Sequence, residues 1–140
     1  MKLIKKSLNI FNHTSRSILA QGRKEAYNYI LDSIDAPFQV MAFTETWLRK
    51  DNVNTIHFNG FEHVPLLRPP DHNFNLKERG GGLSFFIKEN LNYKTREDLN
   101  LMLPHIETLF IEINLNDKKY MIGVIYRVPN TNIRDFKFNN

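Results

Sequence analysis

The sequence predicts a layered fold of mixed α/β class, and three observations carry that prediction. One stretch has the one-sided periodicity of a helix. Several later stretches are short, apolar and of strand length. Turn-forming residues separate them. At 140 residues, 41% hydrophobic and 24% charged, the chain suffices for one domain with a substantial core.

Taken in order, Leu8 to Phe11 is a mostly apolar run that fits a first strand. From Gly22 to Ile34, Ala26, Ile30 and Ile34 recur at four-residue spacing with Tyr27 and Leu31 beside them, so a helix is predicted there, stopped before Pro37. Phe38 to Phe43 is continuous enough to be a strand buried on both faces. Leu48 to Asn59 is polar and reads as a loop closed by Gly60. Phe61 to Leu67 is a further strand, and Pro65 within it argues for a sheet edge. Leu83 to Ile87 forms a strand behind three glycines. Glu107 to Leu115 and Lys119 to Tyr126 pair as a hairpin across Asn116-Asp117, a turn-favouring dipeptide. The expectation is one helix and about six strands.

Composition narrows the function classes. With no cysteine, disulfides, thiolate nucleophiles and cysteine-held zinc are excluded. A formal charge of +4 suits a polyanionic partner, though it describes an ordinary lysine-rich surface equally well. No stretch is apolar for long enough to span a membrane as a helix. Met1 to Lys6 is basic, but Asn9 and Asn12 break the apolar run behind it, which does not read as a signal peptide.

Three short motifs bear chemistry. Glu45 directly follows a buried strand, a rigid mount at a sheet end, and a hard divalent cation such as Mg²⁺ takes one or two carboxylates of this kind. Alone, the position also fits a surface glutamate in a strand-exit turn, the commoner case. Tyr126-Arg127-Val128-Pro129-Asn130 places a phenol and a guanidinium at the exit of another strand, groups that bind phosphates. Alone, this too fits an ordinary half-buried tyrosine. Arg79-Gly80-Gly81-Gly82 lacks the Gly-Lys-Ser/Thr and the helix of a nucleotide-binding loop, and predicts close approach of another backbone. The five histidines, His13, His57, His63, His72 and His105, show no metal-ligand spacing. No serine elbow is present.

The order of the motifs says more than any one. Phe43-Thr44-Glu45-Thr46-Trp47-Leu48, then Arg79-Gly80-Gly81-Gly82-Leu83, then Glu107-Thr108-Leu109-Phe110, then Val124-Ile125-Tyr126-Arg127-Val128-Pro129-Asn130 resembles the endonuclease domain of non-LTR (LINE-type) retrotransposons, within the endonuclease/exonuclease/phosphatase superfamily. The resemblance runs from about Leu8 to the end. It implies an incomplete two-sheet α/β sandwich, with residues 1–140 as the N-terminal part of one domain and its C-terminal part missing. It implies Mg²⁺ or Mn²⁺ held by Glu45 and Asn12, with Tyr126 beside the scissile phosphate and Arg79, Arg127 and Asn130 as DNA contacts. Arg16-Ser17 resembles the Arg-Ser that follows the family's first-strand asparagine; counting back from it reaches Thr14, and Asn12 fits only with two residues inserted. The implied reaction nicks target DNA and primes a reverse transcriptase domain of the same polyprotein, inside the cell and in the nucleus for the intact element. The family's later Asp-x-Asn and Ser-Asp-His motifs are not in the sequence. The expectations are therefore a largely missing second sheet and no nicking by this polypeptide alone. A catalytically inactive remnant is the alternative, with a sugar- or lipid-phosphate phosphatase third.

Overall fold

The computed structural model describes residues 7–33, 38–68 and 80–129. In chain order the first elements are β1 (Ile10–Thr14), α1 (Arg23–Ser33), β2 (Val40–Thr44), β3 (Phe61–Leu66) and β4 (Leu83–Lys88). Then come β5 (Asn92–Thr95), β6 (Leu101–Met102), β7 (Ile106–Leu115) and β8 (Lys118–Arg127). They form a mixed α/β architecture of two four-stranded sheets with one α-helix among the described residues.

The first sheet has the order β1-β2-β4-β3. β1 and β2 run parallel, a pairing that needs a crossover, and α1 lies between them in sequence. The other pairs are antiparallel. β2 runs from Val40 to Thr44 rather than from Phe38, and is buried along its whole length, as the largely apolar run predicts. β3, which carries Pro65, lies at the edge. In the second sheet β7 pairs with β5, β6 and β8. The β7–β8 hairpin turns on Asn116 and Asp117, both at positive φ as a type I′ turn requires.

Side-chain alternation divides the core in two. Val40, Ala42, Leu83, Phe85 and Ile87 of the first sheet pack against Leu109, Ile111, Ile113 and Val124 of the second. On the opposite face of the first sheet, Met41, Phe43 and Phe86 meet Tyr27 of α1 together with Ile18, Leu48, Ile56 and Phe58.

Four expectations change. The first strand runs from Ile10 to Thr14 rather than from Leu8, because the parallel ladder matches Ile10 to Val40. The helix buries Tyr27, with Leu31 packed beside it, whereas Ala26 is exposed. The Tyr27 ring packs tilted against Phe43, with centroids 4.9 Å apart, and its hydroxyl meets His13 Nδ1 at 2.9 Å, so the aromatic face turns inward. Ile34 lies outside the described residues. β5 and β6 are additional strands, the first too polar and the second, at two residues, too short to show an alternating pattern. The second sheet is not missing: four strands build it among the described residues.

Candidate functional site

Six strand ends meet at one end of the sandwich. The registers bring the C-terminal ends of β1, β2, β3 and β8 together with the N-terminal ends of β4 and β7. Motifs spread through the chain thereby become neighbours.

Glu45 is the first residue beyond β2, and Tyr126 the penultimate residue of β8. Tyr126 donates from its hydroxyl to Glu45 Oε1 at 2.8 Å, across the two sheets and 81 residues of sequence. Burial raises the pKa of the Tyr126 phenol well above its ordinary value. The hydrogen bond to Glu45 and the charges of Glu45 and Glu107 add to that rise, while Arg68 opposes it. Tyr126 is therefore a proton-bearing donor.

The backbone around this pair is contorted. Arg16, Ser17, Glu45, Trp47, Gly80, Gly81 and Gly82 all have positive φ. Three loops so shaped are laced together. Ser17 N donates to Glu45 O at 2.9 Å, Ile18 N to Thr46 O at 3.1 Å, Thr46 N to Gly82 O at 3.1 Å and Trp47 N to Gly81 O at 3.0 Å. The left-handed region costs a non-glycine residue about 1–2 kcal/mol, and such residues concentrate at functional sites. Trp47 Nε1 is also buried without a hydrogen-bond partner among the described residues, a further cost of about 1–3 kcal/mol.

The glycines now have a physical role. A Cβ on Gly81 would fall 2.2 Å from Arg68 Cζ, and one on Gly82 2.6 Å from Thr46 Oγ1. The close approach predicted for this run is that of another backbone; side chains come nearest, the Arg68 guanidinium at Gly81 and the Thr46 hydroxyl at Gly82, with the Trp47 backbone nitrogen at 3.5 Å.

The other candidates are placed as follows. Asn12 is exposed on β1, level with Ala42 and on the same inter-sheet side. Thr14, two residues on, is level with Thr44 and accepts a bond from Thr44 Oγ1 at 3.0 Å. The register sets Thr14 nearer than Asn12 to the Glu45 turn. Arg127 is exposed and, by alternation, on the outer face of β8, opposite to Tyr126. Arg79 and Asn130 lie outside the described residues.

Two participants have no role assigned from the sequence, Glu107, named only as part of a motif, and Arg68. Glu107 is fully buried; its Oε1 accepts from Gly82 N at 2.7 Å and its Oε2 from Arg68 Nη2 at 2.9 Å. A signal for Glu107 existed, since it shares the inward phase of β7 with Leu109, Ile111 and Ile113, where a carboxylate is out of place. Arg68 carried none. Among the described residues, no group of three or more histidine, aspartate or glutamate side chains gathers to hold a metal. None of the helices in the described residues is long and apolar enough to cross a membrane.

No family model matches the chain, and comparison with curated proteins finds no match.

Proposed function

We propose that this chain is part of a metal-dependent DNA endonuclease domain of the retrotransposon type, a sandwich of the endonuclease/exonuclease/phosphatase class that hydrolyses a phosphodiester. The supporting observation is the Tyr126–Glu45 hydrogen bond, formed where three contorted loops meet.

The donors near this end are hard oxygens: the Glu45 carboxylate, the Thr14 hydroxyl and, two residues back, the Asn12 amide. Such donors suit Mg²⁺ or Mn²⁺, which accept one carboxylate and complete their shell with water and substrate oxygens. When bound there, the cation supplies positive charge against that developing on the phosphate. Tyr126 orients the Glu45 carboxylate at rest and turns its hydroxyl proton to a phosphate oxygen when DNA binds. Arg127, Arg79 and Asn130 are the proposed backbone contacts, aided by the net positive charge. In the intact element the nick primes the reverse transcriptase domain.

Trp47 is the sole tryptophan and stands two residues from Glu45, so paramagnetic Mn²⁺ held by that carboxylate quenches its fluorescence. The expected result is saturable quenching by Mn²⁺, competed by Mg²⁺ and weakened at least about tenfold in Glu45→Gln. A Mn²⁺ titration without any Glu45-dependent quenching would overturn the reading.

A further inference from the structure

We propose that Glu107 is the positioning residue of this site: its buried carboxylate holds the glycine run, and through it the turn bearing Glu45, in reach of Tyr126. The proposal rests on the reading of this end of the sandwich as the nuclease site.

A fully buried carboxylate is tolerated only when its charge and lone pairs are satisfied. Glu107 meets that condition with one oxygen on the Gly82 amide and the other on the Arg68 guanidinium. Buried ion pairs add little to stability against an apolar replacement, so what this pair contributes is a defined arrangement.

That arrangement can be traced atom by atom. Glu107 lies opposite Tyr126 in the β7–β8 register, and both side chains point between the sheets. Neighbours of this kind sit about 5 Å apart. Tyr126 reaches the turn directly, at Glu45 Oε1. Glu107 reaches it through Gly82, whose carbonyl accepts from Thr46 N, the residue after Glu45. Two adjacent strands of the second sheet thus grip one turn of the first at two points. Backbone bonds from Ser17, Ile18 and Trp47 already hold the turn to its neighbouring loops; the two contacts from β7 and β8 tie it to the second sheet. Arg68 completes the grip, with its guanidinium in the space where Gly81 lacks a side chain.

The test uses Glu107→Gln, which keeps an acceptor for Gly82 but removes the charge that holds Arg68. It reads thermal stability, Mn²⁺ quenching of Trp47 and the ¹³Cζ signal of labelled Tyr126, which reports its hydrogen bond. The expected result is a fold still present by circular dichroism, a displaced Tyr126 signal and Mn²⁺ affinity reduced about 10- to 100-fold. In the Glu45→Gln background, Glu107→Gln should displace the Tyr126 signal no further. A lowered melting temperature with Mn²⁺ affinity and Tyr126 signal unchanged would reduce Glu107 to a structural staple and overturn the proposal. If Glu107→Gln does not fold, Arg68→Met decides by the same signals. If the unaltered protein shows no Mn²⁺ response, the nuclease reading fails by itself, and the Tyr126 signal still decides whether Glu107 positions the pair.

Discussion

At the scale of single residues, Tyr126 and His63 are governed by opposite needs. Tyr126 must keep its proton, and burial beside two carboxylates ensures that it does. Tyr126→Phe leaves the ring's packing intact and removes one hydrogen bond, so its expected cost is about 1 kcal/mol in chemical denaturation. The same change should loosen Glu45 and weaken Mn²⁺ quenching of Trp47 measurably. His63 must instead stay neutral. Its ring lies 4.2 Å above Phe86 and its Nε2 meets the buried Ser84 hydroxyl at 2.8 Å. Burial, then the nearby His57 charge, lowers its pKa from 6.5 to about 4. Between those values the unfolded chain binds the proton and the folded one does not, so stability is full above pH 6.5 and falls as pH drops towards 4. Allowing for its partial exposure, the expected loss is roughly 2 kcal/mol. Thermal melts at pH 7.5 and pH 4.5 should show it, with a smaller difference in His63→Phe.

At the scale of elements, legibility followed burial and turn chemistry. β2 was readable because a largely apolar run has few other fates, and the hairpin because Asn116-Asp117 suits positive φ. The helix was readable over Arg23–Ser33 but its facing only in part, Tyr27 and Leu31 but not Ala26, since the ring contacts that turn Tyr27 inward come from residues remote in sequence. β5 and β6 were unreadable because they take their conformation from β7. Of the site, Glu45 and Tyr126 were legible as strand ends, but their meeting was not, being a property of how two sheets stack. The glycine run shows local sequence obeying a distant constraint. At φ +87°, Gly82→Ala is strained and drives a Cβ onto Thr46 Oγ1. The expected cost is about 2 kcal/mol or more by thermal melting, with the Glu45 turn displaced.

At the scale of the whole molecule, the inter-sheet core sets how well the two halves of the site are held together. Phe85 is fully buried within it, and Phe85→Ala should cost about 3–5 kcal/mol. Against a typical total of 5–15 kcal/mol, that change should broaden or abolish the cooperative melt. Two tyrosine–carboxylate bonds tie the sheets at opposite ends, Tyr126 to Glu45 and Tyr93 to Glu62 at 2.5 Å. The first separates its partners by 81 residues, whereas the β7–β8 hairpin closes over two. Contacts so different in loop length form at different times, the hairpin early and the inter-sheet bond late. The Tyr126–Glu45 pair is thus expected to be absent from the folding transition state. Tyr126→Phe should speed unfolding and leave the folding rate unchanged in stopped-flow chevrons, a φ-value near zero. A chain emerging from synthesis would then assemble a sheet before the candidate site, and partly folded molecules would lack the Tyr126–Glu45 pairing.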